Sequence, residues 1–145
     1  MIFDERIATK ASPSAAFTFL GDFNNLGAWD PSITRVEQIT AGAVGLGTKF
    51  RVTLTLLGVE TTLDYHVETW EPDHHAVLIG TSSTVTATDT IFVTPFRDGS
   101  RVRWKAEIRF VFPLQVVDPL FAWVFGPSVR RAVANMKAEL DKIGA

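Results

Sequence analysis

Two polar side chains of this 145-residue chain are the strongest candidates for chemistry: Asp89 and Tyr65. In the segment TVTATDTIFV, Asp89 shares the apolar face of an alternating strand pattern with Ala87 and Ile91. A carboxylate buried there without a partner is costly and is expected to have a raised pKa. Such a group could anchor a ligand hydroxyl or act as a general acid or base near neutral pH.

A structural role for both residues remains open from the sequence. Asp89 could bond to Thr88 or to the Tyr65 phenol, or a bulge could turn it outward. Tyr65 is the sole tyrosine and lies on the inward parity of its own strand, where a buried phenol normally finds a partner. It could also be a core ring whose tip reaches the mouth of a cavity. We therefore assign no catalytic residue and keep Asp89 and Tyr65 as the only nominated pair.

The sequence predicts no metal site and no cofactor. The chain has no cysteine, and its three histidines are His66, outward by strand parity, and the adjacent His74 and His75 in the turn EPDHH. Neighbouring turn residues seldom converge on one ion, and no carboxylate stands at ligand spacing. The GAVGLG segment precedes a strand instead of a helix, so it does not fit a dinucleotide-binding loop.

Length and composition indicate one globular domain spanning 1–145. Hydrophobic residues make up 46% of the chain and charged residues 21%. The formal net charge of −2 argues against nucleic acid as the main partner. No apolar run approaches the length of a membrane helix and the first ten residues are too polar for a signal peptide, so we expect no membrane insertion and a cytoplasmic location. No protein partner can be named.

The elements that must position Asp89 and Tyr65 follow from hydrophobic periodicity. An opening strand is followed by a helix capped by Ser12 with Pro13 at its first position, and then by a short helical segment that ends near Trp29. Period-two alternation then predicts six strands, apolar on one face and polar on the other, as in an antiparallel sheet covered on one side. The predicted strands are 2–9, 33–39, 49–56, 61–70, 76–81, 84–93 and 101–112.

A long carboxy-terminal helix supplies the cover. Asp118 and Pro119 mark its start as cap and first turn, and an apolar stripe runs to Ile143. Pro127 should kink or restart this helix because it removes a backbone hydrogen bond. The fold class predicted is α+β, with a curved seven-stranded sheet against the long helix.

Inward parity and the helix stripe also predict the residues around any ligand. Core and cavity use the same residue types, so periodicity cannot separate the two. The Gly126–Pro127 break favours a cavity, with this break and the Leu56–Gly58 hairpin forming its entrance. Glu5 and Asn135 are weaker candidates for polar residues in the cavity wall. The predicted apolar lining comprises Phe50, Leu54, Val67, Ile79, Ile91, Trp104, Ile108, Phe121, Phe125, Val129, Val133 and Met136.

Element order and several local segments resemble the START-like, helix-grip (SRPBCC) superfamily, and within it bacterial proteins of the polyketide cyclase/dehydrase type. The matching segments are ASPSAAFTFLGDFNNLGAWDP, GLGTKFRV, YHVETWEP, TATDTIFVTPFRDGSRVRW and the final NMKAELDKI, and together they cover essentially the whole chain.

The resemblance implies a deep cavity between the concave face of the sheet and the long helix. It also implies that Trp29 closes one end of this cavity, either in direct contact with a ligand or simply as part of the core. The leading functional expectation is binding of a hydrophobic small molecule such as a lipid, an isoprenoid or an aromatic polyketide. The alternatives are a polyketide cyclase or dehydratase and a partner-binding module of the chaperone-activator kind. Fold analogy alone does not choose among them.

Overall fold

A computed structural model describes residues 1–56, 58–111 and 113–145 of the chain, with only the backbone of residue 56. Seven strands form one antiparallel sheet in the order β1-β7-β6-β5-β4-β3-β2. The long helix packs on the concave face of this curved sheet. The α+β architecture predicted from periodicity and the helix-grip fold implied by the resemblance are both confirmed. The strands are β1 Ile2–Thr9, β2 Ile33–Gln38, β3 Lys49–Leu56, β4 Val59–Glu71, β5 His75–Thr81, β6 Val85–Phe96 and β7 Gly99–Phe110.

Two helices and two short 3-10 segments connect and cover the sheet. Helix α1 spans Pro13–Gly21, and Ser12 caps it as predicted by accepting a hydrogen bond from the amide of Ala15 at 3.1 Å. A 3-10 segment, Phe23–Ala28, follows α1, and a second, Leu114–Val117, precedes α2, which spans Asp118–Ile143.

Strand alternation places the predicted apolar face inward in most strands. On β4, Leu63, Tyr65 and Val67 are buried and the residues between them are exposed. The prediction for β5 was wrong at one position. Ile79 pairs with His66 and Thr88 on the outer side, and its neighbour Leu78 faces the core. The run AVLIGT is apolar on both parities, so its sequence carried no alternation that could fix the face.

Helix α2 runs through Pro127 as one continuous helix, so of the two predicted effects, a kink or a restart, the restart does not occur. The proline lies on the exposed side of the helix, where its ring can be accommodated without losing core contacts. Asp118 also differs from its expected role as a cap. It is already the first helical residue, and its carboxylate pairs with the ammonium of Met1.

The two halves of α2 are anchored to different extents. Its fully buried residues are Ala132, Met136 and Leu140, and all of them follow Pro127. Before the proline, Leu120 and Trp123 are 57% and 79% exposed. The carboxy-terminal half of α2 is therefore the part that is fixed to the sheet.

The predicted entrance hairpin, 56–58, includes Leu57, which lies outside the described residues. Within the described ranges, no helix has both the length and the hydropathy that a membrane crossing requires.

Candidate ligand-binding site

A cavity of about 110 Å³ lies between the concave face of the sheet and the middle of α2. Its walls come from β1, β3, β4, β6 and β7, from α2, and from the segment that enters β2. Most of this surface is apolar, with a small group of polar side chains among it. The lining residues are Phe3, Leu26, Asp30, Ser32, Ile33, Leu54, Leu63, Tyr65, Val85, Ala87, Asp89, Trp104, Ala106, Glu107, Ile108, Phe125, Ser128, Val129 and Ala132.

Small side chains account for the space. Ala87 and Ala106 occupy inward positions on neighbouring strands, and Ala132 faces them from α2. Larger residues at these three positions would fill the gap between sheet and helix, as they do elsewhere in the core. Inward alanines within otherwise bulky alternating strands were the sequence signal for this void, and the periodicity of the strands alone did not reveal it.

The polar part of the cavity is organised around Asp89. Its Oδ2 accepts a hydrogen bond from the Tyr65 hydroxyl at 3.1 Å, and its Oδ1 accepts one from the Trp104 indole Nε1–H at 3.0 Å. We call Asp89, Tyr65 and Trp104 the Asp89 cluster. The strand register of β6 is regular at Asp89, so the predicted inward orientation holds and the bulge alternative does not.

The cavity environment shifts the acidity of both titratable members of the Asp89 cluster. Burial raises the pKa of Asp89 to about 6; the negative charge of Asp30 adds to the rise, and the hydrogen bonds from Trp104 and Tyr65 oppose it. Burial also raises the pKa of Tyr65, and the adjacent Asp89 charge raises it further. Tyr65 is therefore a neutral hydrogen-bond donor, and Asp89 changes charge close to neutral pH.

Asp30 is a second carboxylate in the cavity wall. Its Oδ1 accepts hydrogen bonds from the amide and the hydroxyl of Ser32, at 2.9 and 2.7 Å. Burial raises the pKa of Asp30, although the Ser32 hydrogen bonds lower it. Asp30 was not among the residues predicted to line a cavity. The Asp-Pro-Ser spacing, typical of a turn in which the Asp side chain caps the backbone two residues on, was the available signal.

Gly80 allows Tyr65 to reach Asp89. Tyr65 is on β4 and Asp89 on β6, so the tyrosine side chain must cross the intervening strand β5. Gly80 is the residue of β5 that pairs with Tyr65, and a Cβ there would lie 2.5 Å from Tyr65 Cε2. The missing side chain at position 80 is thus the space that the tyrosine ring occupies.

Comparison with known proteins identifies the family. The family model described as "Polyketide cyclase / dehydrase and lipid transport" matches residues 2–141. The chain belongs to this family. A search of curated proteins found no match.

Solved structures confirm the START-like fold of this family member. It is similar to a protein from Thermus thermophilus (TM-score 0.79, 13% identity, 97% of each chain covered). It is also similar to a START superfamily protein from Mycobacterium smegmatis (TM-score 0.75, 10% identity, 96% of this chain and 98% of that one). A hypothetical protein from Helicobacter pylori gives a TM-score of 0.76 at 10% identity, covering 96% of this chain and 87% of the other. At such low identities the likeness concerns the fold.

Trp29 of this START-like protein lies in the core and does not line the cavity. Its side chain is 2% exposed, and its ring packs edge-on against Trp104 with centroids 5.3 Å apart. Asn135, a candidate for the polar wall, instead donates a hydrogen bond to the Trp29 carbonyl at 3.2 Å. Of the two roles left open for Trp29, the structure favours the core role, in which it supports the Trp104 indole from behind.

The other predicted lining residues fall into three groups. Leu54, Tyr65, Asp89, Trp104, Ile108, Phe125 and Val129 do line the cavity. Phe50, Val67, Ile91 and Met136 are buried in the surrounding core, where neighbouring side chains take the space a ligand would need. Phe121 and Val133 are partly buried, Phe121 against Phe110 and Phe125, and Ile79 faces outward as described above. Glu5 is half-buried on edge strand β1, in register with Trp104.

The histidines lie apart from the cavity. His66 and His74 are exposed, and His75 stacks on Phe92 at a centroid distance of 4.4 Å. Among the described residues, no three His, Asp or Glu side chains are grouped as metal ligands would be.

Proposed function

We propose that this protein binds a hydrophobic small molecule, of the lipid, isoprenoid or aromatic polyketide class, between its sheet and α2. The observation that carries the proposal is the cavity itself, which combines apolar walls with one concentrated group of polar side chains. Ligand sites commonly have this composition, in which apolar area provides affinity and a few polar groups fix orientation.

A ligand of this class needs more room than the cavity provides. Typical pockets measure roughly 300–1,000 Å³, and this one measures about 110 Å³. The half of α2 before Pro127 is the wall best suited to move, because the fully buried residues of α2 all lie after the proline. Moving this half outward would enlarge the cavity beside Phe125 while Ala132, Met136 and Leu140 stayed in place.

Burial of apolar surface supplies most of the favourable free energy of such binding. A ligand that buries about 200 Å² of apolar surface gains about 5 kcal/mol at about 25 cal/mol per Å². Ordering and desolvation reduce this figure, so the few polar groups of the cavity decide which ligand binds best.

Native mass spectrometry of the protein purified without denaturation is the first experiment. We expect an additional mass that is lost on denaturation and belongs to an apolar compound. The identified compound should then raise the melting temperature when added to ligand-free protein. A protein that carries no compound, and that an extract of apolar metabolites does not stabilise, would contradict the proposal.

A second candidate function is a cyclase or dehydratase acting on a polyketide-like substrate. The observation in its favour is the Asp89–Tyr65 pair. A carboxyl with a pKa of about 6 can exchange a proton near neutral pH, and the neutral phenol beside it can donate a hydrogen bond. Asp89→Asn should then abolish turnover of such a substrate, and the wild-type rate should change with pH around 6. A rate that is the same in both proteins would exclude this use of Asp89.

The partner-binding alternative, the cytoplasmic location and the exclusion of nucleic acid stay predictions from the sequence. Gating by the Gly126–Pro127 segment is part of our proposal.

A further inference from the structure

The charged side chains of the cavity wall are all acidic. Asp30 and Asp89 line the cavity, and no lysine, arginine or histidine does so among the described residues. A third acid, Glu107, lies at the same wall, but its carboxylate is paired with Arg109 at 2.8 Å. Asp30 and Asp89 form no ion pair within the described part of the chain. Their negative charge is therefore offset only by hydrogen bonds.

Those hydrogen bonds leave an acceptor for a ligand. Both oxygens of Asp89 accept from the Asp89 cluster, whereas the bonds to Asp30 reach only Oδ1. No hydrogen bond from the described residues reaches Asp30 Oδ2. The negative charge of Asp30 also raises the pKa of Asp89, because like charges repel strongly in a poorly solvated site. A positively charged donor bound in the cavity that both side chains line would offset this repulsion.

We infer that the ligand's polar end is a hydrogen-bond donor without negative charge, best supplied by a protonated amine, and that the cavity excludes carboxylate-bearing ligands. This inference rests on the proposed function and narrows its ligand class. An ammonium group attracts both Asp30 and Asp89, and the Trp104 and Tyr65 rings add attraction for a cation. A fatty acid or another anion would place a third negative charge against the same two side chains.

Four one-ring probes separate charge from apolar affinity: toluene, benzyl alcohol, benzylamine and benzoate. Cavities of roughly 150 Å³ accept a benzene ring, so these probes require only a modest widening of this one. We would titrate each probe into isotope-labelled wild-type protein and follow the amides of Ala87 and Ala106. Benzylamine should bind most tightly, benzyl alcohol should follow, and benzoate should cause no saturable shift.

Three variants assign the preference to the two carboxylates. Asp30→Asn and Asp89→Asn should each lower the benzylamine-to-toluene affinity ratio about tenfold, since each removes one charge-assisted contact. The double variant should bind benzoate measurably. Asp64→Asn is the matched control, because Asp64 lies exposed on the outer face beside Arg51 and should leave every affinity unchanged.

The four titrations of wild-type protein can overturn the inference even if no variant folds. If toluene binds in the cavity and benzoate binds as tightly as benzylamine, the charge preference is wrong and the proposed function stands. If none of the four probes shifts the cavity amides, both the proposed function and the inference are overturned.

Discussion

The ring of Tyr65 lies directly over Gly80, so closely that a Cβ at residue 80 would be 2.5 Å from Tyr65 Cε2 and 2.6 Å from Cζ. This contact crosses strand β5 and brings the tyrosine hydroxyl to Asp89. The Asp89 cluster therefore depends on a residue that makes no hydrogen bond to it.

Replacing Gly80 by alanine should destabilise the protein by about 1–3 kcal/mol, because the added methyl group forces the Tyr65 ring to move. Alanine is otherwise the better strand residue, so the clash must exceed a gain of about 0.5–1 kcal/mol. Urea unfolding gives the free energy of unfolding for both proteins.

Gly126→Ala is the control for that substitution. Its new Cβ would meet only the flexible tip of Arg130 at 3.4 Å, and alanine suits a helix interior, so stability should stay equal or rise. A Gly80→Ala protein as stable as wild type would show that Tyr65 does not need the space above residue 80.

Asp89→Asn should stabilise the protein at neutral pH. The folded-state pKa of Asp89 is about 6 against an ordinary value of 3.8. Because the pKa is raised in the folded state, the Asp89 carboxyl does not reduce the free energy of unfolding below about pH 4. The reduction grows as the pH rises and is complete once the pH exceeds about 6. The full shift corresponds to no more than about 3 kcal/mol.

Unfolding free energies at several pH values between 4 and 8 measure this effect. The difference between Asp89→Asn and wild type should be largest above pH 6 and small near pH 4. Asp64→Asn, on the exposed outer face, should differ from wild type by less than about 0.5 kcal/mol throughout. A wild-type advantage that increases with pH would contradict the raised pKa.

Asp141→Asn should destabilise the attachment of α2. Asp141 Oδ1 accepts hydrogen bonds from the Thr9 hydroxyl at 2.6 Å and the Lys10 amide at 3.0 Å, and Lys137 pairs with Oδ2. These contacts join the end of α2 to the end of β1. We expect the free energy of unfolding to fall by about 1 kcal/mol, because asparagine keeps part of the hydrogen bonding but loses the charge.

The pH dependence of this contact has the opposite sign to that of Asp89. The Thr9 hydrogen bond, followed by the Lys10 amide, lowers the pKa of Asp141 to about 2. The contribution of the Asp141 carboxylate to the free energy of unfolding is therefore complete above about pH 4 and is lost as the pH falls through 2. Thermal unfolding between pH 2 and 5 should show wild type and Asp141→Asn converging at the acid end. Glu139→Gln, which disrupts only a surface pair with Lys142, should match wild type.

Pro127→Ala should slow ligand exchange. Pro127 has no amide hydrogen to give to the Trp123 carbonyl four residues earlier, so alanine adds that hydrogen bond and stiffens the junction between the two halves of α2. The same change should raise stability. NMR exchange spectroscopy with a bound probe measures the rate, with Arg131→Ala as a control on the same exposed face. Equal exchange rates for Pro127→Ala and wild type would exclude gating at this segment.

Much of the architecture could be predicted from the sequence because alternation and helical spacing are local signals. The pattern of β7, for example, determines that Trp104 and Ala106 face inward. The same logic failed at Ile79, where both parities are apolar and only pairing with His66 and Thr88 determines the face.

The candidate site was less predictable because its contacts join distant parts of the chain. Alternation correctly oriented Asp89 and Tyr65, but the Trp104 hydrogen bond depends on how β6 and β7 pair. Asp30 enters the cavity from a turn, and turns have no facial periodicity. The volume of the void depends on how Ala87, Ala106 and Ala132 meet, which no single segment encodes.

The most direct test of ligand binding between sheet and helix is the dissociation constant of the co-purified compound, or of toluene if none is retained, for Ala106→Leu. A leucine at this position fills the void from β7, and Ala138→Leu adds the same side chain on the exposed face of α2. We predict at least about a tenfold weakening for Ala106→Leu, which corresponds to about 1.4 kcal/mol, and no change for Ala138→Leu. Equal affinity in wild type and a folded Ala106→Leu protein would mean that the ligand does not occupy this cavity.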